Sequence, residues 1–254
     1  MNKLSFLSLT LISFLLSNHA YAVDLIGNAK AKQTLEIVSQ VSGVIENYPL
    51  QPGTTVAKGD TLITILPEDF ELDVRKQRAN LALVKADLKI KKSLYHRYQE
   101  LKQKNSLSQN ELDVAEADYQ AALATVQLAQ IELEKSLIDL DNTKINAEID
   151  GYVVKKTVEK GSWVEKGTTL YSLVSTKLII IRLHASEHDI QNLSVGQPIQ
   201  VWSDANPTLK IDARIKRIGV ELDDASLAYP VDIEIPNNQE MFRPGMSLHA
   251  TTDV

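Results

Sequence analysis

Two sets of side chains in this sequence have the type and spacing to do chemistry. His184, Glu187, His188 and Asp189 form the one His/acid cluster of the chain. Histidines four residues apart share a face only on a helix, where they could hold a metal ion. The run Leu178–Ile179–Ile180–Ile181–Arg182–Leu183 reads as a strand entering His184, so a solvated surface is the plainer reading and no metal is assigned. Lys58 and Lys166 each precede a glycine in a Lys–Gly–x–Thr–Leu turn. An exposed turn lysine can carry a lipoyl or biotinyl group. Neither is set in Met–Lys–Met or Asp–Lys–Ala, and a solvated turn lysine accounts for both. The carrier alternative stays open to one observation, the mass of the mature chain. The absence of cysteine removes thiol catalysis, cysteine zinc sites and disulfides together. With three methionines there is no methionine metal site, and no Ser/His/Asp order or phosphate loop stands out. No cofactor is called for.

The elements that carry those lysines are more telling than the lysines. Ser42–Gly43–Val44–Ile45 through Gly53, Val56, Lys58, Gly59, Thr61 and Leu62 is one version of a pattern. Asp150–Gly151–Tyr152–Val153 through Gly161, Val164, Lys166, Gly167, Thr169 and Leu170 is the other, at a constant offset of 108 (Gly43 to Gly151, Gly53 to Gly161, Gly59 to Gly167). The β-branched residues and glycine turns of residues 33–66 and 143–174 read as short strands. These six glycines are assigned as the structural turn glycines of the repeat. One small β-module is split, with residues 67–142 inserted into the cut.

The insert reads as two helices. Pro67 stands at a helix start, with Glu68 and Asp69 at the positive end of the dipole. No glycine or proline follows until after Lys104. The stretch Asn105–Asn110 breaks the pattern, and Ser108 with Glu111 matches a capping box. Leu112, Ala115, Tyr119, Ala122, Val126, Ala129, Leu133, Ser136 and Leu140 make a heptad stripe. Phe70, Val74, Gln77, Leu81, Val84, Leu88, Lys91, Tyr95 and Tyr98 make a poorer one, with Gln77 and Lys91 as lapses. Helices of roughly 50 Å joined by a short turn must lie antiparallel, giving a long coiled-coil hairpin. Residues 175–254 follow as a small β-barrel, with strands at Leu178–Leu183, Pro198–Trp202, Ile211–Ile218 and Val231–Ile235 and a short helix near Glu187–Leu193. Residues 23–32 supply an N-terminal strand associated with it. The fold class is therefore α+β and elongated: a lipoyl-like β-sandwich split by a helical hairpin, then a barrel.

Composition agrees with a folded chain: 44% hydrophobic, 24% charged, net charge −6, so no nucleic-acid partner is called for. Residues 1–22 read as a cleaved export signal, with Lys3, the apolar Leu4–Leu16 and Ala20–Tyr21–Ala22 in order. That apolar stretch falls short of the roughly 20 residues of a membrane span. With no cysteine there is no lipid anchor, and the mature chain, from Val23, is expected outside the cytoplasm.

In this order the pattern resembles the periplasmic adaptor, or membrane fusion, proteins of tripartite efflux pumps, relatives of the hemolysin-secretion adaptor. Leu140-x-x-Thr143-x-Ile145-x-Ala147 leading to Asp150–Gly151 is similar to the family's return from hairpin to lipoyl module, with Glu148 where proline is common. Glu187-x-Asp189–Ile190-x-x-Leu193-x-x-Gly196–Gln197 resembles its barrel entry, and Pro244–Gly245–Met246 its closing strand. The resemblance implies a non-enzymatic adaptor in the periplasm, associated with the inner membrane through its transporter. The transporter is of the resistance-nodulation-division (RND) type first and an ABC type second. A TolC-type outer-membrane channel is the other partner, and self-association gives a ring, of six by resemblance. It also implies that Arg97, Leu101 and Ser108 at the hairpin tip contact the channel, because the family's tip has that spacing. Arg97 and Leu101 share a helical face and Ser108 opens the facing helix. The family's membrane-proximal domain is expected to be absent here. The alternative function is a lipoyl- or biotinyl-carrier component of an enzyme.

Overall fold

The computed structural model describes residues 22–47 and 50–253. The export signal read over residues 1–22 falls, all but Ala22, outside them. In chain order the elements are β1 (Asp24–Val38), β2 (Gly43–Val44), β3 (Thr55–Val56), β4 (Thr61–Thr64), α1 (Glu68–Gln103), α2 (Gln109–Asp141) and β5 (Lys144–Asn146). They continue with β6 (Gly151–Lys156), β7 (Trp163–Val164), β8 (Thr169–Ala185), β9 (Pro198–Ser203), β10 (Asn206–Ile218), β11 (Tyr229–Pro236) and β12 (Ser247–Thr251). Two compact units result: residues 33–176, and the described residues up to Lys32 together with those from Lys177 onward.

In the unit of residues 33–176 the two sequence copies complete each other. β2 of the first pairs with β7 of the second through Gly43–Val164 and Val44–Trp163. β3 of the first pairs with β6 of the second through Val56–Gly151 and Thr55–Tyr152, the same contacts moved by the offset. The loops repeat this exchange. Gly59 N–H donates to the Ala147 carbonyl at 2.8 Å and Gly167 N–H to that of Ser39 at 2.8 Å. Gly53 N–H reaches Val153 at 2.8 Å and Gly161 N–H reaches Ile45 at 2.9 Å. Neither copy could satisfy these backbone groups alone, which is why the cut module must close over its insert. Ile45, Leu62, Ile63, Ile65, Leu170, Tyr171 and Leu173, each at most 1% exposed, form the centre of the shared core.

The glycines divide into two kinds. Gly53, Gly59, Gly161 and Gly167 stand at φ between 82° and 96°, the left-handed turn region that other residues avoid. Gly43 and Gly151 are not turn residues, which corrects their assignment: both lie in strands. A Cβ on Gly151 would sit 2.0 Å from the Val174 carbonyl oxygen, and one on Gly43 2.5 Å from Ile65 Cγ2. They are glycine so that neighbouring segments can come close.

The insert is two helices, of 36 and 33 residues, with α2 folded back along α1 by the Lys104–Ser108 turn. Pro67 stands at the N-cap position of α1 without a side-chain hydrogen bond, and Glu68, Asp69 and Glu71 occupy its first turn. All eighteen residues of the two sequence stripes are buried or half-buried. The lapses are accommodated: Lys91 Nζ lies 2.8 Å from Asp118 Oδ2 on α2, and Gln77 Nε2 donates to Asp73 at 3.4 Å.

The other unit is a barrel. Its strands run β1–β12–β9–β10–β11–β8, and β8 also pairs with β1 to close the ring. Ile179, Ile181, Leu183, Ile199, Val201, Val231, Ile233 and Leu248 point inward with no measurable exposure. Gly27 permits the closure, since a Cβ there would meet the Arg182 carbonyl oxygen at 1.9 Å. On the outer face Asp232, 7% exposed, takes Arg182 Nε at 2.8 Å and Arg217 Nη2 at 3.0 Å. Between β8 and β9, where the sequence suggests a short helix over Glu187–Leu193, the chain makes a 3-10 turn at Ile190–Asn192. Leu193 leaves it in extended conformation to reach the core, which ends the turn early.

Candidate docking site at the end of the helix pair

The turn that joins the helices is rigid for reasons readable in its hydrogen bonds. Ser106 N–H donates to the Leu101 carbonyl at 3.0 Å and Asn105 N–H to that of Lys102 at 2.9 Å, while Asn105 takes φ 57°. This is the Schellman closure, with asparagine supplying the left-handed residue usually given to glycine. Ser108 then opens α2. Its hydroxyl accepts from Glu111 N–H at 3.2 Å and donates to Glu111 Oε2 at 2.7 Å, and Glu111 also receives Ser108 N–H at 3.0 Å. Donation from the Ser108 hydroxyl, then from its N–H, holds the Glu111 carboxyl below the usual range. The carbonyls of Leu101 and Lys102 and the N–H groups of Ser108 and Glu111 are therefore satisfied within the turn itself.

Behind the turn the helices are tied by polar and aromatic contacts. Tyr95 stacks on Tyr119 at 5.6 Å between ring centroids, and Gln99 Nε2 donates to the Tyr95 hydroxyl at 2.8 Å. Hydrogen bonding to Asp118, reinforced by its charge, raises the Lys91 ammonium above its ordinary range. Arg97 is exposed one turn before Leu101, which is half-buried; Ser108 is exposed but engaged by Glu111. The three lie within the last two turns of α1 and the cap of α2. The arrangement offers a multi-donor cation and an apolar edge on a fixed frame, with one unused lone pair on the serine. Asn105 and the tyrosine stack were missed in the sequence; a lone asparagine ending a helical run is the signal that could have found the first.

A second feature was also missed. On the outward side of α2, Val114, Ala117, Ala121, Ala124, Leu128, Ile131 and Ile138 are exposed, with Lys135 in step between the last two. On α1, Leu72, Ala79, Leu83, Ala86 and Ile90 do the same, with Leu83 70% exposed and Ile131 62%. Each helix thus carries two heptad stripes, one used within the pair and one facing water.

The other candidates are placed differently. Lys58 and Lys166 are exposed in equivalent turns, their backbone N–H groups held by Asp150 Oδ1 at 2.7 Å and Ser42 Oγ at 3.0 Å. β8 ends at Ala185, so His184 lies on a strand and His188 beyond it, with no shared helical face. Among the described residues no helix is long and apolar enough to cross a membrane.

Comparison with known proteins adds an independent line. The family model for the RND MFP barrel-sandwich hybrid domain matches residues 33–176, and that for the CusB-like β-barrel domain matches residues 181–253. The uncharacterized protein YdhJ of Escherichia coli strain K12 is 30% identical over 79% of this chain and 70% of its own length. Multidrug export protein AcrE of the same strain is 28% identical over 91% of this chain and 63% of its own. Among solved structures, a MacA–MexA chimeric protein containing the Pseudomonas aeruginosa MexA α-hairpin domain aligns with a TM-score of 0.67. It is 26% identical and covers 91% of this chain and 78% of that one. Against the first curated relatives the chain spans between 48% and 70% of their length.

Proposed function

Because the chain belongs to the RND membrane fusion protein family, we propose that it is the adaptor of a tripartite efflux pump. It acts in the periplasm, links an inner-membrane transporter to a TolC-type outer-membrane channel, and works as a homo-oligomer. An RND transporter is the first partner and an ABC transporter the second. Residues 67–142 serve as a coiled-coil hairpin, residues 33–66 with 143–174 as the lipoyl-like module, and 175–254 as the barrel. The observation that carries this reading is the self-satisfied turn at Lys104–Ser108. It holds Arg97 and Leu101 at the free end of a long helix pair, where Arg97 can donate to carbonyls or carboxylates and Leu101 can enter an apolar notch. The exposed second stripes support self-association. One lies on each helix, so α1 of one copy can meet α2 of the next and the contact repeats around a ring. The carrier alternative is less favoured, since Lys58 and Lys166 are ordinary turn residues of a family of adaptors.

The test is an efflux assay at matched protein level. Leu101→Asp or Arg97→Glu is expected to abolish pumping while leaving folding and export intact. A charge inverted at the centre of a small interface strands partner groups, at about 2 kcal/mol or more per hot spot. Gln109→Glu, beside the site, should be tolerated better. Variants at 97 and 101 that pump as wild type would withdraw the tip assignment.

A further inference from the structure

Strand alternation sets a row of side chains outside the wall of the barrel unit. Val201, Leu248 and Ala250, each at most 1% exposed, face the core, so their neighbours Trp202 on β9 and His249 on β12 point outward. Trp202 and His249 are register partners, and His249 is in turn opposite Ile26 on β1, which is 58% exposed. The row is held in place. The rings of Trp202 and His249 are 5.9 Å apart between centroids and within 14° of parallel, and the imidazole Nε2 lies 2.5 Å from Asp204 Oδ1. From β10, Lys210 places its ammonium 4.8 Å from the centroid of the Trp202 ring.

Ile26, Trp202, Lys210 and His249 line an open cavity of about 420 Å³, the size of a small-molecule site, and Asp24 and Asp253 share the lining. The cavity selects by charge. An indole face attracts cations through its negative quadrupole, quaternary ammonium heads among them, and Lys210 already sets a cation there. Lys210 is exposed and its four-carbon stem is flexible, so the ammonium can swing aside into water at little cost. Once it leaves, the charges of the lining are the carboxylates of Asp24 and Asp253, while His249 is engaged by Asp204. An anion could reach Lys210 only past both carboxylates, and a neutral ring would forgo their attraction. The exposed Ile26 and the aromatic pair supply the apolar wall for the body of the ligand.

We propose that this cavity binds a small organic cation, an apolar or aromatic group carrying one ammonium centre. Trp202 and Ile26 receive its body, Asp24 and Asp253 balance its charge, and Lys210 is the resident cation that it displaces. The site lies wholly on the barrel unit and does not depend on the adaptor reading given above.

The test is fluorescence titration of the purified chain carrying Trp163→Phe, which leaves Trp202 as its one indole; Trp163 is 66% exposed, so its loss spares the fold. Benzyltrimethylammonium should quench Trp202 saturably and bind about tenfold more tightly than benzyl alcohol, with benzylsulfonate weaker still. Asp24→Asn together with Asp253→Asn should lower affinity for the ammonium probe about tenfold at unchanged Tm and leave benzyl alcohol as it was. Lys210→Gln is the sharpest arm: with the resident cation gone, affinity for the ammonium probe should rise about threefold. Quenching that does not saturate, equal binding of the ammonium and the sulfonate, or indifference to the two aspartates would overturn the proposal. Weaker ammonium binding by Lys210→Gln would end it as well, since the lysine would then be supporting the site rather than occupying it. No pump is present in this experiment, so its failure leaves the adaptor reading standing.

Discussion

In the β-module of residues 33–176, Ile63, Ile65, Leu170, Tyr171 and Leu173 have no measurable exposure. Along the 36 residues of α1 only Val74 is buried, and α2 buries Ala115, Ala122, Val126, Ala129 and Ser136. The β units close their strands around a core and exclude water from large side chains. The helix pair is one contact thick: each helix covers a stripe of the other and leaves its far side wet. What the pair lacks in burial it recovers through caps and cross-links, namely the Schellman turn, the capping box, the Tyr95–Tyr119 stack and Lys91–Asp118. A region built this way folds on its frame yet keeps apolar surface for others. The β units also expose apolar residues, among them Trp163 at 66%, Val195 at 66% and Val220 at 99%, but singly rather than in a heptad stripe.

The largest expected effect breaks the deep side of that comparison. Leu170→Ala leaves a cavity in the shared core and should destabilise the module by about 2–5 kcal/mol, read from denaturant midpoints at constant m. Val126→Ala removes two methyl groups from a seam 7% exposed and should cost only about 1–2 kcal/mol. Equal effects from the two would mean that the pair is as fully packed as the module, and the contrast drawn above would fail.

A middle-sized effect belongs to the barrel and to acid. Burial pushes the Asp232 carboxyl up, but the hydrogen bonds and charges of Arg182, then Arg217, outweigh it and hold the group below the usual range. A depressed folded pKa means stability that is present above the ordinary aspartate range, near pH 4, and lost as pH falls through the folded value. Asp232→Ala should cost about 2 kcal/mol near neutrality, since both arginines are partly solvated and stay hydrated when it goes. The variant should also lose part of the acid sensitivity of the barrel. A wild-type barrel whose melting is flat from pH 6 down to pH 3 would contradict the role given to this cluster.

What the sequence disclosed follows the same line between regular and local causes. The repeat was legible because identical residue types at one offset must make identical turns, and Gly53 and Gly161 do so. The inner stripes were legible because burial and a three–four spacing coincide at Val126 and Ala129. The outer stripes were passed over: once a helix has one seam, residues such as Leu83 and Ile131 read as surface variation until exposure singles them out. Gly43 and Gly151 were mistaken for turn residues because close approach depends on a neighbour that spacing cannot reveal. Asn28 Oδ1 and His184 Nδ1, buried without a hydrogen-bond partner among the described residues, have no sequence signal at all.

The smallest effect sharpens the comparison at its edge, where the helix pair ends. Ser108 has two roles that a simple deletion confuses. Its hydroxyl caps α2, and Ser108→Ala should cost about 1 kcal/mol, felt as faster amide exchange in the first turn of α2 and barely in the β units. The same hydroxyl could also touch the channel, but its proton is committed to Glu111 and one lone pair to Glu111 N–H, so at most it accepts a single hydrogen bond. Ser108→Asn separates the roles, because asparagine caps as well as serine while its amide stands where the hydroxyl was. If capping is what matters, Ser108→Asn restores both the exchange pattern and pumping that Ser108→Ala reduces. If it restores exchange but not pumping, and Ser108→Thr restores both, the hydroxyl is itself a contact. The expected outcome is the first: a frame that satisfies its own backbone leaves Arg97 and Leu101, whose side chains the cap does not consume, to meet the partner.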